Sequence, residues 1–266
     1  MANNFYESME KRKSANLIIA DVLLANADIA ITQENFEYAV QNIINILKLL
    51  PIAKAKSTLA NLYSQGKGIE QNFKEASYWF HQAKLSGDEH AEKLCWKNTI
   101  DFINKDFELK NPEQLYWDMF SFVKFVYPEE DAKLRTNRNL YTIAEYYFKE
   151  KKYELAVKLF RAAAEFGDDG LSQNYISIMY RDALGIERND LASLYWIDKA
   201  SDNGIDIANE ERIKQLEAYV INCTDEDFYK IMILLSNWCL FGCSYVPRDA
   251  KKANQWRLIA EKGPEK

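Results

Sequence analysis

Six side chains in this 266-residue chain are of the kinds that most often ligate metals or act as nucleophiles and bases: Cys95, Cys223, Cys239, Cys243, His81 and His90. A structural zinc site takes four Cys or His ligands, usually in two local pairs, and only Cys239-x-x-x-Cys243 is spaced as half of one. With no second cysteine pair and two histidines, the thiols read as buried or free and reduced, and neither a metal nor another cofactor is expected. No Ser-His-Asp order can be assembled around these histidines, which are expected at exposed helix ends.

One glycine cluster remains. Residues 66–91, "GKGIEQNFKEASYWFHQAKLSGDEHA", place Gly66 and Gly68 before the aromatic pair Trp79-Phe80 and then Gly87, in a chain with nine glycines. A phosphate cradle needs a preceding strand and a Gly-Lys-Ser/Thr ending, and both are missing. Helix punctuation accounts for the same residues. Gly66 and Gly68 permit positive φ in a tight turn, Asn72 caps the following helix, and Gly87 ends it. The elements that carry these residues are therefore helices.

Composition agrees with that inference. The chain is 48% hydrophobic and 28% charged, so it is globular, and 266 residues suffice for a large core or one elongated array. Five prolines leave long helical stretches, and alternating Val-rich runs are nearly absent. A net charge of −6 disfavours nonspecific attachment to nucleic acid or anionic membrane. At the N-terminus, Lys11-Arg12-Lys13 precedes an apolar run, Ala15 to Ala30, with Ala25-Asn26-Ala27 resembling a cleavage site. Asp21 interrupts the run, and Glu7 and Glu10 dilute the basic flank. The run reads as an ordinary one-faced helix, too short and too polar to span a bilayer, in a cytoplasmic protein.

An internal repeat organises the chain. Ala55, Leu59, Ala60, Tyr63, Gly66, Gly68, Ile69, Asn72, Trp79, Ala83, Gly87 and Ala91 recur 117 residues later as Ser172, Ile176, Ser177, Tyr180, Ala183, Gly185, Ile186, Asn189, Trp196, Ala200, Gly204 and Ala208. Between these copies, Ile143, Ala144, Tyr147, Ala156, Phe160, Ala163 and Gly167 fill the same roles with a loop four residues shorter, and Val246, Asp249, Ala253, Trp256, Ala260 and Gly263 form a partial fourth copy. Small Ala60, Ala76 and Ala83 let antiparallel helices approach, while Tyr63, Trp79 and Phe80 fill the space beside them.

"LANLYSQGKGI" and "EASYWFHQAKLSG" resemble the Sel-one-like repeat family, relatives of the tetratricopeptide repeats; "YTIAEYYFKEKKYELAVKLFRAAAEFGD" is closer to a tetratricopeptide repeat. The resemblance implies an all-α solenoid of antiparallel helix pairs in a right-handed superhelix, with repeats at 55–91, 137–170, 172–208 and, in part, 232–263. Residues 92–135 and 209–230 fit the pattern poorly. Twelve or thirteen helices are expected. One opens at Asn111-Pro112 and runs to Val126, and another follows Thr224 to about Leu240. No Gly, Pro or Ser-rich linker divides the chain, so residues 1–266 are expected to form one domain.

In such an array the first helix of each pair lines a concave face that takes a protein or peptide. The family resemblance puts Lys54, Ser57, Asn61 and Gln65 on that face in the first repeat, Arg138, Tyr141, Glu145 and Lys149 in the tetratricopeptide-like one, and Asn174, Ile178 and Arg181 in the next. The tetratricopeptide clamp for a C-terminal carboxylate is incomplete here: Ser57 stands at its lysine position, although Asn61 and Arg138 suit it. The implied function is non-catalytic protein binding, as an adaptor or scaffold. The alternatives are an immunity protein that neutralises a cognate toxin, for which acidity suits a basic effector, and an enzyme acting on cell-wall or antibiotic-like ligands. Relatives proposed for that last role carry a cysteine pair in each repeat, which this chain lacks. RNA-reading repeats would need a basic groove. Neither nucleic acid nor membrane is an expected partner, and the oligomeric state is left open.

Overall fold

The computed structural model describes residues 2–105, 107–208, 210–212, 214–215, 225–242 and 247–262. Among these the regular structure is helical, with no strand. The helices are α1 (Ala2–Thr32), α2 (Phe36–Leu49), α3 (Ala53–Gln65), α4 (Phe73–Leu85), α5 (Ala91–Asn104), α6 (Pro112–Val126), α7 (Glu129–Lys149), α8 (Tyr153–Phe166), α9 (Gly170–Asp182), α10 (Asp190–Asp202), α11 (Asp225–Phe241) and α12 (Ala250–Lys262). A 3₁₀ turn, Phe107–Leu109, precedes α6. Residues 206–208, 210–212 and 214–215 are also helical. Thr224, Cys223 and Cys243 lie outside the described residues.

The chain forms two compact units, one of residues 1–108 and 122–128, the other of residues 109–121 and 129–266. In the first, consecutive helices α1 to α5 pack pairwise in chain order. Ala20 and Ala27 of α1, Val40, Ile43 and Ile46 of α2, and Ala55, Leu59 and Leu62 of α3 form its main core. A smaller core joins Ala60 to Ala76 and Phe80, with Leu94 and Cys95 against it. In the second unit α7 to α10 again pack in chain order, and α11 pairs with α12.

Local sequence sets the helix ends as expected. Gly66 ends α3 at φ 67°, and the Asn72 side chain accepts hydrogen bonds from the Lys74 and Glu75 amides to open α4. Asn189 caps α10 through the Ala192 amide, and Asn35 caps α2. Asn111 and Gln114 form a reciprocal capping box at the start of α6, with bonds of 3.1 and 2.8 Å. Gly68 has a second reason to lack a side chain, since a Cβ there would lie 2.3 Å from the Phe36 carbonyl carbon at the start of α2. The loop can cross the preceding helix pair only because that atom is absent.

Two expectations are corrected. His81 is not at a helix end: it lies within α4, partly buried, with its ring 4.8 Å from that of Tyr127. The N-terminal run is neither too short nor too polar. Lys11–Thr32 is an unbroken helical segment that is, by length and composition, long and apolar enough to cross a membrane. Asp21 does not interrupt it, because an exposed carboxylate on a helix flank leaves the backbone hydrogen bonding intact.

Candidate functional site

The residues singled out for binding divide by unit. On α3, Lys54, Ser57, Asn61 and Gln65 follow at spacings of three and four residues and so share a helix face. Lys54 is tied to Asp28 of α1 at 2.6 Å. Ser57 is buried rather than presented to solvent. Its hydroxyl has the Ala53 and Lys54 carbonyls in reach at 3.2 Å, and its hydrogen bond holds the Asp88 carboxyl below the usual carboxylate range. Asn61 is half-buried and Gln65 exposed. Neither side-chain amide bonds to another group among the described residues.

The second unit carries the larger set, on α7 and α9. Tyr175 of α9 joins the two helices: its ring stacks on Phe160 of α8 at 4.6 Å and meets Tyr141 and Phe148 of α7 edge-on at 5.9 and 5.1 Å. Tyr141 is half-buried, and its hydroxyl donates to Glu145 at 3.5 Å. Burial, with Tyr175 and Glu145 adding to it, pushes the phenol pKa above its ordinary value, so it remains a neutral donor. Glu145 also pairs with Lys149 at 3.0 Å.

Arg181 of α9 is already committed. Its guanidinium reaches Asp182 at 2.8 and 3.0 Å and Glu211 at 2.7 Å, and those hydrogen bonds, Asp182 first, raise its pKa. Arg138 is exposed one turn before Tyr141, Asn174 adjoins Tyr175 in the chain, and Ile178 is half-buried on the next turn. The side chains of Arg138 and Asn174 have no polar partner among the described residues. The arrangement is an aromatic ledge with uncommitted hydrogen-bonding groups on its two helices, suited to holding a peptide backbone or an acidic side chain.

Sequence reasoning missed Tyr175, which joins the ledge, and Glu211, which occupies Arg181. Tyr175 is outside the repeat pattern, and its aromatic character was the only available signal. Glu211 lies 30 residues from Arg181, so no local spacing pointed to the pair. Among the described residues no group of three or more His, Cys, Asp or Glu could hold a metal ion.

Four segments of the chain, residues 53–88, 144–168, 170–205 and 232–258, match the Sel1 repeat model. The chain carries Sel1 repeats. They coincide with helix pairs α3/α4, α7/α8, α9/α10 and α11/α12, and Sel1 repeats generally serve protein–protein interaction. No curated protein matches the chain. Two similar solved structures are a protective antigen present in uropathogenic Escherichia coli strains displaying an SLR fold and a Sel1 repeat protein from Oxalobacter formigenes. The first is 17% identical with a TM-score of 0.31, over 91% of this chain and 54% of that one. The second is 22% identical with a TM-score of 0.29, over 85% and 79%. The chain thus spans about half the length of the first. The α3 residues belong to the first matched repeat; of the ledge, Glu145, Phe148 and Phe160 fall in the second and Asn174, Tyr175 and Ile178 in the third, while Arg138 and Tyr141 stand just before the second.

Proposed function

We propose that this protein is a non-catalytic adaptor that binds a partner protein or peptide through the α7/α9 ledge of its second unit. The observation that carries the reading is the pair of uncommitted groups, Arg138 and Asn174, beside the partly buried rings of Tyr141 and Tyr175. The half-buried Tyr141 phenol, its proton donated to Glu145, supplies an acceptor oxygen, an arginine supplies a charged fork, and an asparagine can bond both edges of a peptide group. Asn61 and Gln65 offer the same chemistry on α3 of the first unit. A net charge of −6 favours a basic partner overall, which also suits the second reading, an immunity protein bound to a basic toxin. A cytoplasmic location belongs to the same proposal. Its support is that α1 places Ala20, Ala27 and Ala30 in the protein interior, from which crossing a membrane would withdraw them.

Affinity capture with mass spectrometry identifies the partner, and its Kd is then measured against wild type and the Arg138→Ala/Asn174→Ala variant. Loss of a charge-assisted contact costs about 1.5 to 3 kcal/mol, or roughly tenfold to a hundredfold in Kd. Helix content and melting temperature should not change, because neither side chain makes a polar bond among the described residues. Equal affinity of the two proteins would remove the ledge from the interface.

A further inference from the structure

Helix α1 has two apolar faces. One face, with Ala20, Leu23, Leu24 and Ala27, packs into the first core. At 100° per residue the opposite face carries Ile18, Val22, Ala25 and Ile29 at i, i+4, i+7 and i+11. Among the described residues nothing in the first unit covers it: Ile18, Val22 and Ile29 are 66%, 56% and 53% exposed, and Ala25 is exposed too. A row of β-branched side chains in water is the signature of a surface that meets another apolar surface.

We infer that this stripe is a self-association surface on which two copies of the chain pair through antiparallel α1 helices. The spacing is self-complementary under a two-fold axis midway along the stripe. Ile18 then faces the second copy's Ile29, and Val22 faces its Ala25, so the small Ala25 side chain admits the larger Val22 at both central contacts. Charge selects the same orientation. Exposed Lys11, Arg12 and Lys13 stand at the N-terminal end of the stripe, with Lys11 two turns before Ile18 on the same face. Exposed Glu34 and Glu37 lie just beyond the C-terminal end. Antiparallel pairing brings the basic cluster of each copy to the acidic end of the other, where the helix dipole also favours cations. Parallel pairing would stack the two basic clusters.

Flanking polar groups distinguish this occupant from a bilayer. Asp21 borders the stripe on one side and Asn26 on the other, and Asp28 is engaged with Lys54. In a helix pair these groups stay at the wet rim, whereas in hydrocarbon each carboxylate would have to be desolvated. The inference is independent of the partner reading for the second unit.

Sedimentation of the full chain tests it. Apparent mass should rise with concentration from 31.0 kDa towards twice that value, and Ile18→Asp/Val22→Asp should return it to the monomer with unchanged helix content. Both positions are exposed, so the variant is expected to fold. Orientation is read by mild oxidation: an Ile18→Cys chain mixed with an Ile29→Cys chain should cross-link above the wild-type background, whereas Ile18→Cys alone should not, its two copies lying about 16 Å apart along the helix pair. A wild type that remains monomeric throughout, a double variant that still dimerises, or self-cross-linking of Ile18→Cys overturns the inference. So does a monomeric wild type that co-sediments with phosphatidylglycerol vesicles, which would assign the stripe to a membrane surface.

Discussion

The repeats at α3/α4 and α9/α10 share a local sequence pattern and differ in what surrounds it. In both, the amide four residues past the turn's second glycine makes the same closure: Asn72 N–H donates to the Tyr63 carbonyl and Asn189 N–H to the Tyr180 carbonyl, each at 3.0 Å. Gly68 and Gly185 both adopt φ 67°, and a Cβ on either would strike the start of the second helix of the preceding pair, α2 at Phe36 or α8 at Tyr153. The contacts that join each helix pair have diverged. Where Ala60 packs near Ala76 and Phe80, Ser177 instead bonds Ser193 at 3.0 Å. Buried Lys56 reaches Ser86 at 2.8 Å, while its counterpart Gln173 accepts from Asn203 at 2.8 Å and donates to Asp168 at 2.9 Å. One pattern of backbone punctuation thus supports two chemistries between the helices.

Burial shows the largest divergence. Tyr195 and Trp196 of α10 are fully buried, whereas Tyr78 of α4 is exposed and Trp79 is only partly covered. Later parts of the second unit reach α10: Asp198 pairs with Lys252 of α12 and, at 3.0 Å, with Arg212, and Lys252 also meets Asp202 at 2.7 Å. A buried lysine with two carboxylates satisfies the requirement that interior charge be paired.

Trp196→Ala should therefore cost about 3 to 5 kcal/mol, as expected for a large buried aromatic, and Trp79→Ala clearly less. Chemical denaturation followed by circular dichroism measures both. Equal losses would mean that the difference in burial between α4 and α10 has no energetic weight.

A smaller effect of opposite sign in the two repeats comes from their helix ends. Gly66 and Ala183 occupy the same left-handed position, at φ 67° and 55°. Left-handed geometry costs a non-glycine residue roughly 1 to 2 kcal/mol. Gly66→Ala should destabilise by about that amount, and Ala183→Gly should stabilise by a similar or smaller one, since glycine also widens the unfolded ensemble. If Ala183→Gly destabilises, the left-handed turn in the second repeat is held by contacts that outweigh its strain.

The smallest difference is a pH effect. Burial opposes ionisation of Asp168, but hydrogen bonds from Asn203 and Gln173 and the nearby Lys199 outweigh it, leaving the pKa below the ordinary aspartate value. A depressed carboxylate pKa contributes stability that is present above the unfolded-state value and is lost as pH falls through the folded one. Stability from this site should thus decline below about pH 4. Asp168→Asn should flatten the acid limb of a pH-melting profile, and asparagine tolerates the φ of 57° found there. The equivalent place 117 residues earlier is Pro51; the first repeat's depressed carboxylate is instead Asp88, held by the Ser57 hydroxyl.

The amino-acid sequence by itself determined the helix boundaries and the repeat. Capping by Asn72, Asn111 and Asn189, and left-handed closure at Gly66, depend on bonds within a few residues, so residue type and spacing suffice to read them. It also placed Arg138, Tyr141, Asn174 and Ile178 on α7 and α9. Tertiary structure alone decided which of the candidate groups are already occupied. Arg181 finds Glu211, Lys54 finds Asp28, and Ser57 is covered, through neighbours 26 to 31 residues away in the chain. The second apolar face of α1 follows the same rule. Helical spacing displays both rows, but only packing selects Ala20 and Ala27 for the interior and leaves Ile18, Val22 and Ile29 in water. Burial is a property of the surroundings, which no window of local sequence contains.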